Sequence, residues 1–201
     1  WKDVYRQMEH YRARLNKLAP ETDRYHVVGP DVNLWIKLGE KRNWFGGSGR
    51  NIPSFELFTS PDWRGTSGWI RFNQPLFRYS NKITGIELTF ENGRVVKSKA
   101  KTNEKLLKEM IATKNADKVG EFSLTDKRFS RITKFMAETL FDENMGGPHG
   151  NTHIAVGMSY RDTYAGDASK LSKKEAEALG FNDSSVHTDM ISTAPRTVTA
   201  H

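Results

Sequence analysis

Hydrophobic and polar positions alternate with clear periods along most of this chain. In "WKDVYRQMEHYRARLNKLAP" the apolar residues Trp1, Val4, Tyr5, Met8, Tyr11, Leu15 and Leu18 keep helical spacing, and Pro20 ends the run. Three strand-like stretches follow: "HVVGPDVNLWIKL", then "ELFTSP" after a Gly/Ser/Asn/Pro loop, then "GWIRFNQPLF". "ITGIELTFENGRVVKSKA" predicts a hairpin with Asn92-Gly93 at its turn. The second half alternates between the two periods. Residues 103–113 predict a helix burying Leu106, Leu107, Met110 and Ile111, and "KVGEFSL" is strand-like. "RFSRITKFMAETLF" predicts a helix with Phe129, Ile132, Phe135 and Met136 on one face. "HIAVGM" reads as a buried strand, "LSKKEAEALG" as a helix with a Ser172/Glu175 capping box and Gly180 as its stop, and "SSVHTDMIS" as the last strand. The class is mixed α/β with a sheet-rich first half, without internal repeats or linkers.

Composition narrows the chemistry. At 201 residues the chain suits one domain with a sizeable core. It begins inside an amphipathic helix without an initiator Met and stops at "TVTAH", so it reads as a piece of a longer polypeptide. There are no cysteines, which removes thiolate nucleophiles and Cys-type zinc sites and suits a cytoplasmic protein. No apolar stretch approaches the roughly 20 residues that span a bilayer. The net charge of +7 is the one compositional hint of a nucleic-acid partner, but the basic residues are scattered as a solvated surface.

Five residues invite a metal. A histidine opens the apolar run at His153, and Glu121 sits inside an apolar strand, where an unpaired carboxylate costs several kcal/mol. His187 and Asp189, two apart on a strand, leave the same face. Alone, an H-x-D pair is a common surface feature, and Glu56 at the mouth of a strand is an ordinary solvated position. Read together, two imidazoles and three carboxylates at strand ends or inside strands suit a pair of divalent ions bridged by a carboxylate, such as zinc, cobalt or manganese. No G-x-S-x-G, P-loop or dinucleotide fingerprint is present, so water is the economical nucleophile. His149 lies four residues before His153, but Gly147, Pro148 and Gly150 forbid the helix that H-x3-H ligation needs, so it is read as a bystander. Asp142, Glu143 and Asn144 are read as shaping the turn and supporting the ligands.

In order along the chain, "GPDVNLWI", "NIPSFELFTSP", "GIELTFENGRVV", "VGEFSL", "LFDENMGGPHGNTHIAVGMSY" and "HTDMI" resemble the C-terminal catalytic domain of the thermophilic metallo-aminopeptidase family, the aminopeptidase T, aminopeptidase S and PepS type. The resemblance runs over nearly all residues, and "DEN…GN-x-H-x-A-x-G" followed by "H-x-D" carries its specificity. It implies a pseudo-barrel-like mixed β-sheet flanked by helices, the second domain of a two-domain metallopeptidase. It also implies two divalent ions held by Glu56, Glu121, His153, His187 and Asp189. Tyr160 falls on the family's active-site tyrosine, returned to the site by a bend near Gly157 and donating to the tetrahedral oxyanion. Glu121 would both ligate and act near the water as general base. Phe55 stands where the family often has a small residue. The implied function is removal of the N-terminal residue of short peptides, in a full-length protein that is a homodimer. A two-metal phosphoesterase, using the same ligands, and a basic nucleic-acid-binding module are the alternatives.

Overall fold

The computed structural model describes residues 2–47 and 54–201, so Trp1 and most of the loop before Glu56 lie outside it. Helix α1 (Lys2–Leu18) buries Met8 and lays Val4, Tyr11 and Leu15 on the core. A six-stranded sheet is built from β1 (Arg24–Gly29), β2 (Val32–Lys37), β5 (Ser67–Arg71), β8 (Glu87–Glu91), β9 (Arg94–Lys99) and β13 (Thr197–Ala200), in the order β13-β1-β2-β5-β8-β9. A five-stranded sheet contains β3 (Phe45–Gly46), β4 (Glu56–Thr59), β10 (Val119–Thr125), β11 (Asn151–Gly157) and β12 (His187–Ser192), in the order β12-β11-β10-β4-β3. A small ribbon pairs β6 (Leu76–Arg78) with β7 (Asn81–Ile83). Helices α2 (Glu104–Ala112), α3 (Thr139–Asp142) and α4 (Lys173–Ala178) complete the mixed α/β fold. The expected capping box of α4 forms between Ser172 and Glu175.

Every strand pairing among the described residues is antiparallel, and β9 is bridged at Arg94 to Lys118, just before β10 of the other sheet. The mixed α/β class is as expected, and the pseudo-barrel-like sheet that the resemblance implied takes the form of antiparallel sheets with no closed barrel. They meet through aromatic side chains. Tyr25 of β1 and Phe122 of β10 lie 5.8 Å apart, each against Trp44, whose indole N–H donates to the Tyr25 hydroxyl at 3.1 Å. Phe122, Ile154, Val156 and Met190 thus turn one face of the five-stranded sheet into core. Its other face is left for chemistry.

Two elements differ from the periodicity. Of residues 128–141, expected to form a helix, 128–138 are irregular, and only α3 is helical at the end of the stretch. Side chains take the backbone groups that a helix would use. Asp126 accepts from Arg128 N, Ser130 Oγ accepts from Ile132 N, and the Asp142 carboxylate accepts from Met136 N and Glu138 N. The apolar spacing instead anchors a loop, with Phe129 in the core and Phe135 stacked on Phe77. The terminal "TVTA", short and β-branched, adds a further strand by pairing with β1.

Candidate metal centre

The register of the five-stranded sheet decides where each candidate ligand points. Glu121 lies opposite Ala155, and Ala155 lies opposite Asp189. His153 lies opposite Ser123, Gly157 opposite His187, and Glu56 opposite Thr125. Side chains alternate along strands, so Glu56, Glu121, His153, His187 and Asp189 all leave the same face. Gly120 sits at an irregularity in β10 that re-aims Glu121, and a Cβ there would meet Met158 O at 2.2 Å. The small residues of "H-x-A-x-G" now have a physical reading: Ala155 and Gly157 leave space on the ligand face between larger polar groups.

The five side chains converge. His153 Nε2 lies 2.9 Å from Glu121 Oε1, 3.4 Å from Glu56 Oε2 and 3.7 Å from Asp189 Oδ1. His187 Nε2 lies 3.4 Å from Asp189 Oδ1 and 3.6 Å from Glu121 Oε2. His187 Nδ1 is 2.8 Å from Met158 O; donating there holds the ring with Nε2 toward the carboxylates. Ser123 Oγ donates to Glu56 Oε2 at 2.6 Å. Glu56, Glu121 and His153 offer ligand atoms that all lie within 4.8 Å of one another.

Tyr160 returns to this face. Gly157 ends β11 at φ +103°, a conformation side-chain-bearing residues rarely adopt, and a Cβ there would sit 1.9 Å from Val186 O. The bend brings the Tyr160 ring to 4.6 Å from that of His187 and edge-on to Phe58. His149 is exposed and meets Arg196 only through its carbonyl, outside the cluster. Phe55 is buried in the core.

The electrostatics betray excess negative charge. Burial first, then repulsion from Glu121 and Asp189, pushes the Glu56 carboxyl up to about 7 against the attraction of His153. Burial opposes a proton on either histidine, yet the facing carboxylates raise both, His187 to about 9. Asp189 goes down despite its burial, because both imidazoles face it. The Tyr160 phenol is pushed up by burial and then by the carboxylates it faces, Glu121 foremost.

One participant had been underrated. Burial, then the charges of Glu56 and Asp189, push the Glu143 carboxyl up to about 10, so it feels the field of the same cluster. Its neighbours are fully occupied: Asp142 binds backbone amides, and Asn144 accepts from Phe55 N at 2.6 Å and donates to Leu140 O. The Glu143 carbonyl is held by Asn151 and Thr125, while no hydrogen bond to its carboxyl is found among the described residues. The residue run "DEN" was the available signal; the division of labour within it was not.

Two nitrogen donors among crowded, desolvated carboxylates fit a divalent cation, which supplies the positive charge the cluster lacks. Comparison with known proteins agrees. The model of the thermophilic metalloprotease family (M29) matches residues 1–201. Aminopeptidase PepS of Streptococcus thermophilus is 31% identical over 94% of this chain and 49% of its own length. Aminopeptidase AmpS of Bacillus subtilis is 34% identical over 83% of this chain and 42% of its own. The structure of wild-type AmpT from Thermus thermophilus superposes on the whole chain and half of its own, with a TM-score of 0.84 at 29% identity. The chain thus spans about half the length of the relatives it matches. No helix among the described residues is long and apolar enough to cross a membrane.

Proposed function

The chain belongs to the thermophilic metalloprotease (M29) family, and on that premise we propose that it is the catalytic part of an aminopeptidase acting on short peptides, with two divalent ions. The observation that carries this reading is the convergence of Glu56, Glu121, His153, His187 and Asp189 on one sheet face. These five would hold the ions, with Glu143 a fourth carboxylate within their field. Held by these residues, divalent ions would supply Lewis-acid polarisation of a scissile carbonyl and a water acidic enough to attack near neutral pH. Glu121 takes up the proton that the attacking water gives up and passes it to the leaving amine. The Tyr160 hydroxyl, kept protonated by its surroundings, donates to the oxyanion that develops on the attacked carbonyl. Cytoplasmic location and a homodimeric full-length protein belong to the same proposal. Zinc, cobalt and manganese are the candidate metals.

Metal analysis of the purified full-length protein, combined with a panel of aminoacyl anilides, tests the reading. Two ions per chain and anilide hydrolysis that disappears on chelation and returns with one metal are expected. Turnover of p-nitrophenyl phosphate without any anilide hydrolysis would overturn it.

A further inference from the structure

Tyr160 is 37% exposed, yet its backbone is held on both sides by hydroxyls that are completely buried. Its N–H donates to Ser60 Oγ at 2.8 Å, and its carbonyl accepts from Thr163 Oγ1, also at 2.8 Å. The two hydroxyl residues are tied to each other, because Ser60 N donates to Thr163 Oγ1 at 3.3 Å. Ser60 directly follows β4, the strand that begins with Glu56. The clamp therefore joins the tyrosine's segment to a strand carrying a candidate ligand.

An anchor stands behind it. The Arg42 guanidinium, over the Phe181 ring at 3.6 Å, donates from Nε to Ser60 O at 2.6 Å and from Nη2 to Leu179 O at 2.7 Å. Asn43 N donates to Thr163 O at 2.7 Å. Ser60 and Thr163 are thus each gripped from the Arg42–Asn43 segment. Burying two hydroxyls is favourable only when they are bonded, and here both bonds converge on a single residue.

We propose that Ser60 and Thr163 are positioning residues for catalysis, fixing Tyr160 so that its phenol meets the reacting carbonyl at hydrogen-bond distance. This rests on the reading of Tyr160 as oxyanion donor. A donor misplaced by about 1 Å loses on the order of a hundredfold in rate, so a clamp on a half-exposed side chain has a measurable consequence.

The test is a mutant cycle in the full-length enzyme, following kcat, KM and metal content for Tyr160→Phe, Ser60→Ala, Thr163→Val, Thr163→Ser and each clamp variant combined with Tyr160→Phe. Ser60→Ala and Thr163→Val should each lower kcat about tenfold or more, with KM and metal content unchanged. Thr163→Ser, which keeps the hydroxyl, should restore turnover. In the Tyr160→Phe background the clamp variants should produce no further loss, because their effect passes through the missing hydroxyl. Wild-type kcat in Tyr160→Phe removes the oxyanion-donor reading, and the clamp's role with it. If Tyr160→Phe is impaired but Thr163→Val turns over normally, or Thr163→Val costs the same in both backgrounds, only the positioning proposal is overturned. Should Ser60→Ala fail to fold, the Thr163→Val and Thr163→Ser pair decides alone.

Discussion

Loading the site with a divalent ion should expel protons, and the number follows from the crowding of its ligands. Metal ligands bind deprotonated, so every proton the empty cluster retains must leave. At pH 7 the Glu143 carboxyl, held up to about 10, is protonated, and Glu56, at about 7, is half protonated. His187, at about 9, and His153, raised by its carboxylate neighbours against its burial, are both imidazolium. If all four deprotonate around the metal, between about three and four protons are released at pH 7. Apparent affinity should therefore rise with pH through neutrality and keep rising until Glu143, held up to about 10, has lost its proton. Calorimetric titration of the stripped protein with zinc, in two buffers of different ionisation enthalpy, reads the number directly. An observed heat independent of the buffer, or affinity falling as pH rises, would refute the argument.

The same shifts set the stability of the stripped protein. The folded-state pKa of Glu56 lies above its ordinary 4.5, so the folded form binds more protons between those values. Its stabilising contribution is complete below about 4.5 and is lost as pH rises through about 7. His187 behaves alike, its contribution complete below its ordinary 6.5 and lost as pH rises through about 9.

Two substitutions probe the site from different sides. His187→Ala should lose metal content and activity together, with affinity down by more than about a hundredfold, measured by metal analysis after dialysis against a weak chelator; full metal content would exclude His187 as a ligand. Gly157→Ala should lower denaturant stability by at least about 3 kcal/mol, because φ +103° resists a side chain and its Cβ meets Val186 O at 1.9 Å; an unchanged denaturation midpoint would contradict this account of the bend.

The ligands on strands were the legible part of this site. His153, Glu121, His187 and Asp189 lie within short apolar or alternating runs, where a titratable side chain conflicts with its surroundings and so announces itself. Ala155 and Gly157 were legible as part of a motif, but their purpose appears only once register sets them beside Glu121, Asp189 and His187. Glu143 carries no such conflict, since it stands in a polar run after α3, and only tertiary structure brings it within the field of the cluster. The expected helix around residues 128–141 failed for a related reason. Phe129, Ile132 and Phe135 do have partners, but a periodic pattern does not reveal that Asp126, Ser130 and Asp142 will compete for the backbone. Ser60 and Thr163, ordinary hydroxyls a hundred residues apart, have no meaning until the fold joins them at Tyr160.

A cluster this crowded is a cost to the fold without its cation, which leads to a prediction running against the usual expectation for buried polar residues. Glu56→Gln keeps the shape and the oxygen that accepts from Ser123 Oγ, but removes the charge that burial, Glu121 and Asp189 oppose. At pH 8 the wild-type carboxyl is mostly ionised, so the stripped variant should be the more stable by on the order of 1–3 kcal/mol, or several degrees in Tm. At pH 5 the folded wild type carries the proton at Glu56, and the advantage should largely vanish. With metal added the order should reverse, since a neutral amide is the poorer ligand and the loaded state gains less from binding. Thermal unfolding of both proteins, stripped and loaded, at the two pH values gives all four comparisons. A stripped Glu56→Gln that melts below wild type at pH 8 would mean that Glu56 is held by attraction to His153 more than it is strained by its fellow carboxylates, and the crowding would then not be what draws a cation to this face.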